Sequence, residues 1–463
     1  MIRVFRVFVP TTVFILLLSE FLLLGFCYVL AAFLVLEVDP SVFLIYDGGL
    51  VRILPVVLTI LFGLHFFDLY TDIGTRTRVS LVVEIGQALG LAFIVQALLS
   101  YGNRNWILPR WLMIYGSAFS LVCLAGWRII YSAIAFRVFG TQRVLFLGRS
   151  PVIEEITQYL ETHPEMGLTN LGYADDTHPP GQMFNGAPVL GPVSQLRQIA
   201  ARTKPDRIVV GMSERRTRMP VQDLLELKFA GVVIEEASAT YETLRGRVCT
   251  KELRPSQLVF SGELGPRREL AMLQTVYSMA VAAVSTIVAL PVMAVTALAV
   301  KLSSRGPVLY RQTRVGRNGT PFVLYKFRSM SADAEANTGA VWATKDDPRV
   351  TPLGRWLRKL RLDELPQLFN VLRGEMSIVG PRPERPEFVA VLTEQIPYYR
   401  QRHCVKPGIS GWAQINYKYG ETVEDSIIKL EYDLYYIKHL SPALDAYILF
   451  HTLKTMLRFR GAQ

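Results

Sequence analysis

Cysteine is scarce in this sequence, four in 463 residues, and no C-x-x-C or cysteine/histidine spacing marks a metal site. Cys27 and Cys123 fall in apolar runs and Cys249 and Cys404 outside them, so no disulfide framework is expected. Charge is also thin, at 19% of residues against 51% apolar, with a positive mean hydropathy. That balance excludes an ordinary soluble enzyme. Two signatures of nucleotide chemistry are missing. Gly148 is followed by Ser150 and Ile153 where the second and third glycines of G-x-G-x-x-G would stand. Tyr159, Tyr173 and Tyr241 are followed four positions later by His163, Thr177 and Arg245 rather than by lysine, which argues against a dehydratase.

What is present begins with four apolar runs, Val9 to Leu36, Leu50 to Tyr70, Leu81 to Leu99 and Ile107 to Ala135. Each can cross ~30 Å of hydrocarbon as a helix of about 20 residues. The first lacks a small-residue cleavage site after a short apolar core and reads as a retained anchor. Glu20 within it is expected to face another helix. Arg3 and Arg6, Arg76 and Arg78, and Arg137 and Arg143 flank the runs so that both ends of the bundle face the cytoplasm. Arg104 and Arg110, in the second outer loop, run against that assignment. The formal charge of +11 fits either a lipid-facing surface or an anionic substrate.

After residue 140 the pattern alternates. Strands are expected at Arg143–Leu147, Asn170–Ala174, Asp206–Val210 and Val232–Glu235, with helices at Pro151–Leu160, Val193–Arg202 and Pro220–Ala230. This describes a small parallel α/β domain of Rossmann type. A fifth apolar run, Leu270–Val300, is long enough to span, yet Pro291 lies inside it, where proline costs about 3 kcal/mol unless the helix bends. Either the run crosses and everything from Lys301 lies outside the cell, or it bends and returns.

Val308–Met330 reads as two alternating runs joined by Arg317-Asn318-Gly319, a hairpin. A stretch to Asp347 follows, and then Thr351-Pro352 opens a helix bearing Arg355 and Arg358 on one face. Asp363 stands where an N-cap belongs, ahead of Glu364-Leu365-Pro366 and a helix closed by Gly374. A carboxylate at that position either caps the helix or attacks a phosphoryl group, with arginines to neutralise charge and a divalent ion held by acidic groups.

The segments YRQTRVGRNGTPFVLYKFRSM, LDELPQLFNVLRGEMSIVGPRPE and RHCVKPGISGWAQIN, following a proline-broken apolar helix, resemble the bacterial sugar transferase family of monotopic phosphoglycosyl transferases. The four spans and Rossmann-like domain resemble its large, polyprenyl-glycosylphosphotransferase branch. The resemblance implies transfer of sugar 1-phosphate from a UDP-sugar, UDP-glucose or UDP-galactose, to undecaprenyl phosphate, starting exopolysaccharide, capsule or O-antigen synthesis. It implies Asp363 as nucleophile forming a phosphosugar-aspartate intermediate, and Glu364 as its partner, the two holding Mg2+. Lys326, Arg328, Arg355 and Arg358 would hold phosphates, and Arg382, framed by Pro381 and Pro383, the nucleotide end of the donor. Because UDP-sugars are cytoplasmic, the fifth run is expected to be re-entrant, bent at Pro291, where leucine stands in place of the family's usual serine.

The expected architecture is a membrane protein with four transmembrane helices (1–140), a Rossmann-like α/β domain (141–265), a re-entrant membrane helix (266–305) and a mainly helical α/β catalytic domain (306–463) on the cytoplasmic face of a bacterial inner membrane. Its partners are the UDP-sugar, undecaprenyl phosphate and membrane lipids, with no nucleic acid and with a possible homodimer. Lys406-Pro407-Gly408, Gly411-Trp412 and Asn416 read as a loop near the active site or the membrane interface, with buried packing open for Trp412. His403 reads as structural, and the closing helix from Pro442 either lies on the bilayer or packs on the domain. The competing reading is a non-catalytic, nucleotide-sugar-responsive scaffold of polysaccharide export.

Overall fold

The computed structural model describes residues 2–4, 7–9, 11–37, 39–67, 69–70, 78–102, 108–138, 142–163, 166–212, 219–251, 265, 267–331, 347–417 and 422–457. The expected stretch leading to Asp347 therefore lies largely outside the described residues. Contacts divide the chain into two compact units, Phe8–Glu236 and Ala237–Gln463.

The first unit opens with α1 (Thr11–Val35), α2 (Gly49–Phe66), α3 (Arg78–Gly102) and α4 (Arg110–Val138), one for each apolar run. Leu24, Tyr28, Ile60, Leu64, Ile85 and Leu112 share one core, while Leu22, Phe26 and Leu34 stay exposed on the outer face, as side chains that meet lipid do. Glu20 does face another helix. Its buried carboxylate pairs with Arg128 of α4 at 2.6 Å and accepts the Tyr70 hydroxyl at 2.6 Å.

The α/β domain follows as β1 (Gln142–Leu147), α5 (Pro151–Thr162), β2 (Leu168–Ala174), β3 (Met183–Phe184), β4 (Ala187–Gly191), α6 (Leu196–Thr203), β5 (Arg207–Val210), α7 (Val221–Phe229) and β6 (Val233–Glu236). The strands form one sheet in the order β3-β4-β2-β1-β5-β6, parallel except for β3. The β3–β4 hairpin was not anticipated, although its turn, Asn185-Gly186, has φ of 39° and 69° and is a standard sequence signal. The turn after β1 is filled: a Cβ on Gly148 would lie 2.7 Å from Met212 Cγ. Asp175, at the end of β2, is held by His178 at 2.6 Å and by Thr177.

The second unit begins earlier than the expected boundary at 265. Helix α8 (Ala237–Arg245) and the residues after it pack here, with Tyr241 and Arg247 on Glu431 (3.1 and 3.3 Å) and Trp412 Nε1 donating to Gly246 O at 2.7 Å. Helix α9 (Arg268–Ser303) is one helix of 36 residues with Pro291 inside it. With α1–α4 it makes, among the described residues, five helices long and apolar enough to cross a membrane. The hairpin β7 (Leu309–Val315) and β8 (Pro321–Phe327) forms about Arg317-Asn318-Gly319 as expected.

The remaining elements are α10 (Pro352–Lys359), a 3-10 turn (Leu362–Glu364), α11 (Gln367–Leu372), β9 (Ser377–Val379), α12 (Pro386–Gln395), a 3-10 segment (Tyr399–Cys404), β10 (Gly408–Ser410), α13 (Trp412–Asn416), α14 (Val423–His439) and α15 (Pro442–Leu457). Thr351 caps α10 by accepting from Gly354 N at 2.9 Å. Ser441 caps α15, which buries Leu444 and Ile448 against the domain. Trp412 is buried and stacked on Tyr435, so packing, not the interface, accounts for it.

Candidate active site

Asp363 and Glu364 lie in the short 3-10 turn, entered through Arg361 at φ 55°, ψ 21°. A non-glycine residue in the left-handed region is strained by roughly 1–2 kcal/mol, and here the strain reverses the chain between α10 and the turn. Both carboxylates are buried, at 7% and 8% exposure. The N-cap expectation for Asp363 is corrected: α11 starts two residues beyond Leu365, its cap position is Pro366, and no side chain caps it. Pro366 sits where the helix needs no N–H, so the aspartate is released from a backbone task.

The two carboxylates live in opposite surroundings. Glu364 Oε1 accepts from Lys326 Nζ and Arg382 Nη2, each at 2.9 Å, and Oε2 faces Arg361 at 3.5 Å. Although burial opposes ionisation, Lys326, Arg382 and Arg361 together hold its carboxyl well below the usual range. Asp363 receives no hydrogen bond among the described residues. Burial pushes its carboxyl up to about 6, Glu364 adding to the rise and Lys326, Arg358 and Arg382 opposing it. One carboxylate is thus saturated with cations, while its neighbour is bare and poised near neutrality.

Several elements converge to build this. Lys326 follows Phe322 and Leu324 on the inward face of β8, so strand alternation aims its ammonium into the domain. Asn370 of α11, fully buried, pairs with the edge of β8 as a strand would: its amide donates to Val323 O at 2.7 Å and its oxygen accepts from Tyr325 N at 3.2 Å. The sequence reading missed this residue, and a lone asparagine in a short helix gives no signal. Replacing Asn370 with leucine should orphan both backbone groups and cost about 1–3 kcal/mol for each. Chemical unfolding of the intact protein checks this, and an unchanged midpoint would refute it.

Pro381-Arg382-Pro383 follows β9, and its carbonyls are pinned one by one. Pro381 O accepts from Gly408 N at 2.9 Å, Arg382 O from Arg402 at 3.1 Å and Pro383 O from Arg314 at 3.0 Å. The Lys406-Pro407-Gly408 loop thereby lies beside the site. Gly408 is required there because a Cβ would fall 2.1 Å from Gly380 N. Arg358 of α10 turns inward, with Nε on Ser329 Oγ at 3.1 Å.

Two of the expected phosphate ligands are not brought to Glu364. Arg328 is buried and caps the end of α9, donating to Ser304 O at 2.8 Å, Arg305 O at 2.7 Å and Ser304 Oγ at 2.8 Å. Alternation alone would put Lys326 and Arg328 on one face, but the strand ends at Phe327, and Arg328, one residue beyond β8, follows the chain as it leaves the hairpin. Arg355 is exposed on the solvent side of α10. His403 is half-buried and outside the cluster, and burial, with Arg402 beside it, lowers its pKa to about 4, so it is neutral.

A bound magnesium fits part of this set. No group of three or more acidic, histidine or cysteine ligands occurs among the described residues. Magnesium, however, commonly takes one or two carboxylates plus substrate phosphates and water, and the bare carboxylate of Asp363 can supply one. Glu364 is committed to cations.

A family model described as bacterial sugar transferase matches residues 270–459, and one described as a CoA-binding domain matches 65–228. A UDP-glucose:undecaprenyl-phosphate glucose-1-phosphate transferase of Escherichia coli (strain K12) is 32% identical over 91% of this chain and 90% of its own length. A protein of the same name from Xanthomonas campestris pv. campestris is 32% identical over 84% and 83%. A UDP-N-acetylgalactosamine-undecaprenyl-phosphate N-acetylgalactosaminephosphotransferase of Aeromonas hydrophila is 46% identical over 48% of this chain and 52% of its own. With relatives matched along most of their length and the site lying inside the matched domain, this chain belongs to the bacterial sugar transferase family.

Proposed function

We propose that this protein transfers a sugar 1-phosphate from a UDP-sugar to undecaprenyl phosphate, releasing UMP. The observation that carries the reading is the asymmetric pair: a bare, buried Asp363 beside a Glu364 that gathers Lys326, Arg361 and Arg382. An Asp363 oxygen attacks the β-phosphorus, the bond from that phosphorus to the bridging oxygen breaks, and UMP leaves with the electron pair. A phosphate oxygen of undecaprenyl phosphate then attacks the same phosphorus, returning the carboxylate and forming undecaprenyl-diphosphate-sugar. Lys326 and Arg382, held ready by Glu364, can shift toward the diphosphate as it arrives and stabilise the charge that develops. Magnesium, held by Asp363 and the substrate phosphates, would neutralise charge on the departing UMP.

UDP-glucose and UDP-galactose are the first donors to test, and the name of the Aeromonas relative adds UDP-N-acetylgalactosamine. UMP release by purified protein in nanodiscs, with each donor, lipid acceptor and magnesium, decides the matter. Absence of release with every donor, from folded protein that binds UDP, would favour the scaffold. Because the attacking carboxylate must be ionised, release should fall about tenfold per unit as pH drops below about 6. Added magnesium should move that midpoint lower, since a cation favours the ionised form. A rate flat from pH 7 to 4.5 at limiting magnesium would contradict Asp363 as the attacking group.

The same reading makes α9 re-entrant, with the catalytic unit on the cytoplasmic side of the inner membrane. In its support, one face of α9, from Gln274 through Ser278, Ala282, Thr286, Met293 and Thr296 to Val300, is buried along the helix, a contact of ~39 Å at 1.5 Å per residue. Gln274 donates to Val379 O near one end, and Arg328 caps the other. A straight crossing would place one of these ends on the far side of the bilayer from the domain that holds both. In a cysteine-free background, cysteines placed at Arg267 and Leu302 should react with an impermeant maleimide from the same side of sealed vesicles. Labelling from opposite sides would show a true span.

A further inference from the structure

Arg402 lies in the 3-10 segment Tyr399–Cys404, buried at 5% exposure and outside the cluster around Glu364. All three of its nitrogens are engaged. Nε and Nη2 lie 3.0 and 2.7 Å from Asp433 Oδ2, Nη1 donates to the Tyr399 hydroxyl at 2.6 Å, and Nη2 donates to the carbonyl of Arg382 at 3.1 Å. Asp433, on α14, is 1% exposed. A buried ion pair adds little net stability, because desolvation of two charges offsets their attraction. What this pair does provide is a rigid, forked donor fixed beneath one peptide group. That peptide carries the side chain that reaches Glu364 at 2.9 Å.

We propose that Arg402, locked by Asp433, is the positioning residue for Arg382. It holds the Arg382 carbonyl so that the guanidinium on the same residue is delivered to Glu364 and to the diphosphate of the bound nucleotide. The inference rests on the assignment of Arg382 to the nucleotide end of the donor. Prolines on both sides remove backbone freedom but cannot by themselves choose the direction in which the arginine leaves the loop. The hydrogen bond to the carbonyl sets the rotation of that peptide, and with it the direction of the side chain.

The test uses full-length protein in nanodiscs, with UDP binding measured by calorimetry and UMP release measured kinetically. Arg402→Lys keeps a charge beside Asp433, but one ammonium cannot reach the carboxylate, the tyrosine and the carbonyl together. The UDP Kd and the donor KM should rise about tenfold, with KM for undecaprenyl phosphate unchanged within about twofold. In an Arg382→Ala background the same substitution should move the UDP Kd by less than about twofold, because the side chain it positions is gone. An equal effect in both backgrounds, or an effect confined to the melting temperature, overturns the inference. Should Arg402→Lys fail to fold, Asp433→Asn taken through the same cycle gives the answer. An Arg382→Ala protein that binds UDP as well as the wild type would instead remove the assignment of Arg382, and the inference with it.

Discussion

Asp363→Asn should lower UMP release at least about 10³-fold and, in the same protein, raise resistance to unfolding at pH 7. The first effect follows from removal of the attacking oxygen's charge. The second follows from linkage. The folded protein holds the Asp363 carboxyl at about 6, above its ordinary 3.8, chiefly through burial. Between those values the folded state binds more protons than the unfolded one, so this group's contribution is present below pH 3.8 and is lost as pH rises through 6. At pH 7 the ionised group opposes folding by roughly 3 kcal/mol, and asparagine removes that opposition. The advantage of the mutant should therefore shrink as pH is lowered toward 4. A mutant less stable than wild type at pH 7 would contradict the burial argument, and residual turnover within about tenfold of wild type would remove Asp363 as nucleophile. The combination, inactive yet more stable, is the mark of a site whose charge is held against its own solvation.

Glu20→Ala is expected to have the largest effect on the membrane helices, about 3–5 kcal/mol. Glu20 is fully buried and meets Arg128 at 2.6 Å. Without it, Arg128 keeps the carbonyl of Leu69, at 2.6 Å, and the face of the Tyr70 ring, 5.0 Å away, but loses its carboxylate partner, and its charge stays in an apolar interior. The combined replacement Glu20→Leu with Arg128→Met should cost much less than the single change, because it removes both charges and fills their volume. Unfolding titrations in mixed micelles compare the two. A single mutant no worse than the double would show that the pair is not buried from water in the membrane.

Much of this was legible in the sequence because it is local. Four apolar runs gave four helices, Arg317-Asn318-Gly319 gave a hairpin, Thr351-Pro352 gave a capped helix, and the adjacent carboxylates and Pro381-Arg382-Pro383 proved to be neighbours in the fold. The short β3–β4 hairpin carried its signal in Asn185-Gly186 and was passed over. Arg328 and Lys326 could not be told apart by composition or spacing, since both are basic residues of one strand end. One reached Glu364 and the other the end of a helix because the strand stops between them.

By itself the sequence determined the order of most elements and the membrane character, which rest on periodicity and turn chemistry, while Asp363 and Glu364 were singled out by the family resemblance of the segment that holds them. Only the tertiary structure decided that Asp363 is left bare, that Glu364 collects cations from β8, from the turn and from the loop after β9, and that Arg402 stands behind Arg382. Those contacts join residues 18 to 38 positions apart in the loop and strand cases, and a charge's burial and its partners belong to the packed chain rather than to any window of it.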